Sequence, residues 1–379
     1  MSGLGDREVA LAAATHDLCN RRVALLGETG NHGSGETLAF KAALVERLVD
    51  HCGFSAVLFE ASVYDLLELD RRRRAREEAG PELFGSAIGQ LWAGDREFQP
   101  LLAFLAARAA NGGLFVAGLD NNIGSVGAFY SLDTMPAKLT RDLPPAQRQT
   151  CRETFRRRIY HDYPSDRPYA EPEKIALLAC LTAIEPLLNA QRFPDPMLRN
   201  ERRQMLLNLR RLIEADFAAP VELLRARGTA MFDNLRWHLG RLPPGTKAIV
   251  WTATVHAARS TAMDDDRGDV DDLGAKVART YGHRAFVLGF AAAGGSYRQG
   301  RRNPPRTISA APPGSIEEEA LRGGRQVGYL SPKALAALGP RSAALFMPDR
   351  RVTARWQDAV DGIVVFRTER PPARAAPTP

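Results

Sequence analysis

Six short apolar runs constrain the fold of this chain more than any other feature of its sequence. Each is four to seven residues long and lacks the polar alternation of a half-exposed strand. Such runs are typical of strands buried on both faces, as in a parallel sheet covered by helices. The runs are VALL (23–26), SAVLF (55–59), LFVAG (114–118), AIVW (248–251), RAFVLGF (284–290) and GIVVF (362–366).

Amphipathic helical patterns lie between these runs. The pattern at 38–49 places Leu38, Val45 and Leu48 on one face, and Gly53 follows it as a helix terminator. Because strand and helix alternate along the chain, the sequence predicts an α/β fold with a mostly parallel open sheet flanked by helices.

The segment 134–240 interrupts this alternation. It has almost no strand-like runs, and its arginine- and leucine-rich stretches are amphipathic. We predict a large helical insertion that forms a pocket lid, because segments at strand ends often carry function. The expected organisation is a single domain over 1–379, with a core of 20–133 and 241–368. The proline- and alanine-rich residues 369–379 are expected to be a disordered tail.

Composition and charge limit the expected partners. The formal net charge is +7, but the excess arginines lie beside acidic residues, as on solvated helix faces. Nucleic-acid binding is therefore not expected. The expected partner is a small-molecule substrate. No apolar run approaches the ~20 residues needed to cross a bilayer, and the N-terminus lacks a signal-peptide pattern. The expected location is the cytoplasm, without membrane association, and the oligomeric state stays open.

The four cysteines are widely spaced and include no CxxC pair. A zinc ribbon is not expected, and a chain of this length does not require a disulfide framework. Free, mostly buried thiols are therefore expected at Cys19, Cys52, Cys151 and Cys180.

Polar side chains follow four of the predicted strands directly. In an open parallel sheet, ligands bind beyond the carboxyl ends of the strands, so these residues are expected to form one site. The alternative is that each is a helix cap or a turn residue, which stays open above all for residues 120–122. The residues are Glu28, Asn31 and His32 after the first strand, Glu60 at the end of the second, Asp120, Asn121 and Asn122 after the third, and Thr252 and His256 after the fourth.

The stretch LLGETGNHGSGET (25–37) has neither the GxxxxGK[ST] nor the GxGxxG spacing of a phosphate loop. The positive end of the helix that follows is expected to lower the pKa of His32 and keep the imidazole neutral. His32 could then take a proton from water, with Glu28 or Glu60 fixing its tautomer. His256 could donate to an oxyanion or a leaving oxygen.

A metal site is the alternative use of the same side chains. Glu28, His32, Glu60 and His256 supply ligands for a divalent cation, but no close spacing such as HExxH marks a metal site. No cofactor is therefore expected, with a divalent metal as the less favoured alternative.

Several stretches, in this order, resemble the erythromycin esterase-like family over about 23–366. The resemblance implies an α/β core, a Gly-Glu-x-x-His loop at Glu28 and His32, and Glu60 as the glutamate that ends the second strand. It also implies a basic position near Lys41, and His256 as the last histidine of a His-Asn-x-His segment. In the esterases such residues surround an activated water that opens a macrocyclic lactone without a covalent serine intermediate. The stretches are LLGETGNHGSGETLAFKAALVERLVDHCGFSAVLFEAS, LFVAGLDNN, ARGTAMFDNLRWHL, AIVWTATVHAAR, DDLGAKVARTYGHRAFVLGF and DAVDGIVVFR.

Two departures from the family pattern stand out. Three residues, not two, separate Glu28 from His32, and Ala253 and Thr254 stand where the esterases carry His and Asn. One of two paired imidazoles is therefore absent.

The hypothesis is an ester or lactone hydrolase in which His32 is the general base toward water. Glu28 and Glu60 would orient and balance His32, His256 would act as acid or oxyanion donor, and Lys41 would assist electrostatically. Two alternatives stay open: a biosynthetic tailoring enzyme that catalyses cyclisation, elimination or acyl transfer, and a non-catalytic binder of a macrocyclic or haem-like ligand. The candidate substrate-binding residues are Asn31, Asp120, Asn121 and Arg227.

Overall fold

Seven strands form the central sheet of the protein, in the order β3-β2-β4-β1-β5-β11-β8. The computed structural model describes residues 2–77, 79–123, 129–132, 134–160, 165–193, 195–264, 268–300 and 303–375. The strands are β1 (Val23–Leu26), β2 (Phe54–Ser62), β3 (Phe115–Asp120), β4 (Lys247–Trp251), β5 (Ala285–Ala292), β6 (Gly295–Arg298), β7 (Pro305–Ile308), β8 (Val327–Leu330), β9 (Arg341–Met347), β10 (Arg350–Ala354) and β11 (Gly362–Phe366).

Each of the six predicted runs forms a strand of this sheet, and the predicted α/β class is confirmed. Strand β1 pairs in parallel with β4 on one side and with β5 on the other. The pairs β2–β4 and β5–β11 are also parallel. Every residue of β1 and β11 is buried, as apolar runs without polar alternation predict. Strand β8, which pairs antiparallel with β11, and the hairpins β6–β7 and β9–β10 were not predicted.

Helices fill the connections between the strands. They are α1 (Ser2–Cys19), α2 (Gly35–Cys52), α3 (Val63–Arg74), α4 (Pro81–Ile88), α5 (Gln90–Ala93), α6 (Gln99–Ala110), α7 (Thr134–Thr140), α8 (Pro145–Tyr160), α9 (Glu171–Ala190), α10 (Pro196–Glu214), α11 (Pro220–Gly240), α12 (Thr254–Ala257), α13 (Leu273–Tyr281), α14 (Ile316–Ala320) and α15 (Pro332–Leu338). Helix α2 ends as predicted, because Gly53 takes the left-handed conformation (φ 70°) and donates its N–H to the Leu48 carbonyl.

The chain divides into two compact units. The first contains Met1–Glu60, Leu91–Val116 and Leu235–Pro379, and the second contains Ala61–Gln90 and Ala117–Asn234. The described residues of 134–240 form helices α7–α11 and no strand, so this segment is helical as predicted. The single-domain organisation and the role of that segment as a lid stay predictions.

The expectation of four free thiols is wrong. Cys19 and Cys52 form a disulfide of 2.06 Å between the ends of α1 and α2, and Cys151 and Cys180 form one of 2.07 Å between α8 and α9. The paired cysteines are 33 and 29 residues apart in the sequence, and such spacings match no motif that would predict the pairing. The packing of the helices brings the Cα atoms to 5.0 and 5.8 Å, within the range that a disulfide requires.

The expectation of a disordered tail is wrong from residue 369 to residue 375, which we call the C-terminal strap. The Arg370 carbonyl accepts the N–H of Gly35 at 2.7 Å, and the Ala373 carbonyl accepts the N–H of Arg96 at 2.7 Å. Glu369 is 2% exposed, and its carboxylate accepts the next two N–H groups of α2, from Glu36 at 2.6 Å and from Thr37 at 3.2 Å. Backbone hydrogen bonds and the capping of α2 hold the C-terminal strap in place although it has few apolar residues. Residues 376–379 lie outside the described residues.

No helix in the described ranges has both the length and the apolar character needed to cross a membrane.

Candidate active site

The loop after β1 is fixed by backbone contacts to the neighbouring strands. The N–H of Gly27 donates to the Leu288 carbonyl at 2.8 Å, and the N–H of Glu28 donates to the Thr252 carbonyl at 3.1 Å. A Cβ on Gly27 would lie 2.6 Å from the hydroxyl oxygen of Thr254, so the close approach of these segments requires glycine. The position of the Glu28 side chain is thereby set by the sheet itself.

Glu28 is the centre of a buried group of side chains, which we call the Glu28 cluster. One carboxylate oxygen lies 2.7 Å from His32 Nδ1 and accepts the indole N–H of Trp92 at 2.7 Å. The other oxygen accepts a hydrogen bond from Lys41 Nζ at 2.9 Å. Burial raises the pKa of Glu28, but the charge of Lys41 and the hydrogen bond of His32 outweigh it and hold the pKa below its ordinary value. Glu28 is therefore an ionised carboxylate with three donors.

The turn between Glu28 and His32 explains how the longer spacing still closes the pair. The N–H of His32 donates to the Thr29 carbonyl at 3.0 Å, and His32 itself has a φ of 54°, in the left-handed region that side chains seldom adopt. The Asn31 side chain accepts from the Thr29 hydroxyl at 2.6 Å and donates to the Arg298 carbonyl at 3.3 Å. Asn31 thus holds the turn, and its role in substrate binding stays a prediction.

The expectation that the helix dipole lowers the pKa of His32 is wrong. Burial lowers the pKa of the imidazole, but the hydrogen bond and charge of Glu28, together with the charge of Glu60, outweigh burial and raise it above its ordinary value. Helix α2 begins only at Gly35, whereas the carboxylate oxygen of Glu28 is in direct contact with the ring. A carboxylate at hydrogen-bond distance is the stronger influence.

Lys41 is fully buried beneath the loop. Its Nζ lies 4.0 Å from the centroid of the Trp251 ring, and burial lowers its pKa to about 8 despite the opposing charge of Glu28. The ammonium group therefore keeps its proton at neutral pH, and its pairing with Glu28 favours the charged form.

A second group, the His256 cluster, contains His256, Glu60 and Asp272. The Nε2 atom of His256 lies 3.3 Å from Glu60 Oε1, and its Nδ1 atom lies 2.7 Å from Asp272 Oδ2. The second oxygen of Glu60 accepts the Thr252 hydroxyl at 2.6 Å and the Ala253 N–H at 2.9 Å. With a carboxylate oxygen at each ring nitrogen, the imidazole can donate to both only as the cation.

Sequence reasoning missed Asp272. It caps α13 through the N–H of Leu273 at 2.7 Å, and an aspartate before an apolar helical pattern indicates only a cap. Its contact with His256 spans 16 positions and has no sequence signal.

The positions that depart from the family pattern lie beside both clusters. The N–H of Ala253 binds Glu60, and the N–H of Thr254 donates to the Glu28 carbonyl at 2.7 Å. The Thr254 hydroxyl is buried and has no hydrogen-bond partner among the residues that the structure describes. Neither side chain can replace an imidazole.

The remaining candidates form a group within the second unit. Asp120 accepts the guanidinium of Arg227, with a shortest contact of 2.7 Å, and the N–H of Asn122 at 3.1 Å. The Asn121 carbonyl accepts the Tyr64 hydroxyl at 3.0 Å. The Asp120–Asn122 contact is that of a turn residue, the alternative noted above, and substrate binding by these residues stays a prediction.

A small cavity of about 10 Å³ lies against His32, in the first unit. This is room for roughly one water molecule. The His32 side chain is 16% exposed, and its Nε2 atom has no hydrogen-bond partner within the described part of the chain. Arg298 and two residues of the strap, Pro372 and Arg374, line the same cavity.

Among the described residues, no group of three or more His, Cys, Asp and Glu side chains is arranged to hold a metal ion. Dependence on a divalent cation stays untested.

Solved structures with the same fold cover almost the whole chain. A Bacillus cereus protein is 18% identical with a TM-score of 0.68, over 97% of this chain and 93% of that one. A succinoglycan biosynthesis protein is 14% identical with a TM-score of 0.71, over 96% and 92%. A mutant of the erythromycin esterase EreC, in its open conformation, is 12% identical with a TM-score of 0.65, over 96% and 94%. At these identities the likeness concerns the fold alone.

No curated protein matches the sequence. The profile of the erythromycin esterase family matches residues 49–368, which is most of the chain but begins after the loop that carries Glu28 and His32. The predicted resemblance is confirmed, and the chain belongs to the erythromycin esterase family.

Proposed function

We propose that this protein is a hydrolase that opens an ester or lactone with a water molecule activated by His32. Membership of the erythromycin esterase family supports the hydrolase class. The observation that carries the proposal is the pairing of His32 Nδ1 with the Glu28 carboxylate at 2.7 Å, beside a cavity with room for about one water.

In this mechanism the free Nε2 atom of His32 takes a proton from water as the oxygen attacks the carbonyl carbon. Glu28 fixes the tautomer and balances the imidazolium, and Lys41 keeps Glu28 ionised. The imidazolium then returns the proton to the leaving oxygen as the tetrahedral intermediate collapses. A role of His256 as acid or oxyanion donor would require one of its ring nitrogens to leave the carboxylate that it contacts, Glu60 or Asp272.

The test is a comparison of His32→Ala with wild-type protein on a panel of simple esters, lactones and macrolactones. Mass spectrometry detects the gain of one water, and His51→Ala, at the exposed end of α2, is the matched control. General-base catalysis predicts a loss of about 10²–10⁴-fold in His32→Ala and little change in His51→Ala. Equal turnover by His32→Ala and wild type would exclude the mechanism.

The choice of substrates for the panel follows from the solved structures that share the fold. One of them is an erythromycin esterase, so macrolactones are included beside simple esters and lactones. Turnover of a macrolactone would support a role in antibiotic resistance or secondary metabolism. Tight binding of a macrocycle without conversion would instead favour a non-catalytic binder.

A second candidate function is a non-hydrolytic tailoring reaction in the same pocket, namely cyclisation, elimination or acyl transfer. It is favoured by Ala253 and Thr254, which stand in place of the first histidine and the asparagine of the family's His-Asn-x-His segment. Reaction in ¹⁸O-labelled water separates the two functions, because only hydrolysis places the label in the acid product.

The cytoplasmic location predicted from the sequence stays a prediction. The two disulfides weigh against it, since such bonds persist mainly in oxidising compartments.

A further inference from the structure

The second unit contains a cavity that none of the roles above uses. Its volume is about 290 Å³, near the lower end of the range for small-molecule sites. It lies among α7, α9, α10 and the segment 191–193, and we call it the α7–α9 cavity. No residue of the Glu28 cluster or the His256 cluster lines it.

Two contacts fix the walls of the α7–α9 cavity. The Cys151–Cys180 disulfide joins α9 to α8, and the Arg199 guanidinium donates to the Gln191 carbonyl at 3.0 Å, which ties α10 to the end of α9. A cavity bounded by cross-linked helices is available without rearrangement, which reduces the free energy that binding costs.

One part of the lining is apolar. Leu139, Ile184 and Leu188 are between 3% and 7% exposed, and Phe193 adds an aromatic ring. These side chains favour a ligand that carries an apolar body, because binding removes apolar surface of both partners from water.

The other part of the lining is cationic. It contains one carboxylate, Asp142, which pairs with the adjacent Arg141 at 3.1 Å. A second charged pair involves Lys138 of the lining, whose Nζ lies 3.3 Å from Glu68 Oε1. The cations are Lys138, Arg141, Arg192 and Arg202.

Arg202 and Arg192 lack such a carboxylate. The guanidinium of Arg202 donates to the Tyr130 hydroxyl at 2.5 Å, and burial raises the pKa of that phenol to about 12, so its partner is neutral. Within the described ranges, neither Arg202 nor Arg192 forms an ion pair. Two positive charges beside an apolar surface are therefore left without counterions from the described part of the protein.

We propose that the α7–α9 cavity binds a small amphipathic anion, a compound with one carboxylate, phosphate or sulfonate on an apolar body. The anionic group would bind Arg202 and Arg192, since guanidinium groups match such oxyanions in two-pronged hydrogen bonds. The apolar body would lie on Leu139, Ile184 and Leu188.

Decanoate is a suitable probe, measured by isothermal titration calorimetry below its micelle concentration. The expected result is saturable binding at one site, with decyltrimethylammonium, which has the same chain and the opposite charge, binding at least ~10-fold more weakly. Replacing Arg202 by Met removes a charge-assisted contact and should weaken decanoate binding by about 10- to 100-fold. Arg203→Met, at an exposed neighbour that binds Asn189, is the matched control and should leave binding nearly unchanged.

Decanoate is also a product that an esterase could bind at His32, so the titration is repeated with His32→Ala. Binding in the α7–α9 cavity is expected to persist in that variant, whereas binding at the proposed active site is not expected to depend on Arg202. If Arg202→Met unfolds, Arg192→Met replaces it, because Arg192 is exposed. No saturable binding, equal affinity for the cationic amphiphile, or unchanged affinity in the arginine variants would each overturn the proposal.

Discussion

Replacing Glu28 by Gln is the most informative perturbation of the proposed active site. Glutamine keeps the shape of the side chain but removes the charge that faces both His32 and Lys41. The hydrogen bond and the charge of Glu28 are the main influences that raise the pKa of His32 against burial. In the variant, only the charge of Glu60 still opposes burial and the charge of Lys41, so the pKa of His32 should fall below that of wild type.

The expected loss in kcat/KM is about 10²–10⁴-fold, the range for removing a general base or the group that orients it. At about 1.36 kcal/mol for each factor of ten, this is about 3–5 kcal/mol of transition-state stabilisation. The rising limb of the pH profile, which reports deprotonation of His32, should move to lower pH even as the maximum rate falls.

Glu28→Gln should also lower the free energy of unfolding. A raised histidine pKa contributes stability that is fully present below the unfolded value near 6.5 and is lost as pH rises through the folded pKa. Pairing with Glu28 also raises the pKa of Lys41, which is about 8, above that of an unpaired buried lysine. Breaking a buried pair costs about 3–5 kcal/mol, so Glu28→Gln should be less stable than wild type by this amount near pH 6 and by less at pH 9.

The pKa of His32 can be measured without a substrate by following the imidazole signals in NMR spectra as a function of pH. The chain has seven histidines, and the signal that disappears in His32→Ala identifies the residue. Glu46→Gln is the control, since Glu46 lies on α2, the helix that carries Lys41, and interacts with Asp50 instead of the Glu28 cluster. A wild-type pKa at or below about 6.5, or one that is unchanged in Glu28→Gln, would refute the reasoning.

Three further outcomes are expected. Gly33→Ala should disrupt the loop, because the new Cβ would lie 1.6 Å from the Arg298 carbonyl oxygen; circular dichroism and the rate on the best ester measure the loss. Cys52→Ala opens a disulfide that spans 33 residues and should lower the free energy of unfolding in urea by about 3–4 kcal/mol; a wild-type stability that reductant does not change would contradict this. Deleting 370–379 removes an acceptor of the Gly35 amide, whose hydrogen exchange should accelerate at least ~10-fold; unchanged protection would mean that the strap contributes nothing there.

The fold could be predicted because its main signal is local. Runs such as VALL and GIVVF are uninterrupted apolar segments, and β1 and β11 are buried throughout. Strand β8 has only four residues at the sheet edge, and its antiparallel pairing with β11 depends on a long-range contact. Edge strands carry a weaker pattern because one side lacks a partner.

The candidate site could be predicted only in part. Glu28 and His32 share one turn, so their contact follows from neighbouring positions. The raised pKa of His32 could not be predicted, because it depends on how closely the Glu28 carboxylate approaches the buried ring. Asp272 and the paired cysteines illustrate the same limit, since their partners lie 16 to 33 residues away and are brought together only by helix packing.

In the proposed mechanism, carboxylate charges near His32 would assist a single imidazole base. Glu28 is paired with Lys41 Nζ at 2.9 Å, and a second carboxylate, Glu60, is held by the Thr252 hydroxyl and the Ala253 N–H.

The charge of Glu60 is among the causes that raise the pKa of His32. In the proposed mechanism this charge would favour transfer of a proton from water to His32 at the step in which an oxyanion forms. Ala253 stands where the family pattern has its first histidine, yet the backbone N–H of Ala253 donates to Glu60 at 2.9 Å. The charge that assists His32 is therefore positioned by main chain, which the substitution at Ala253 leaves intact.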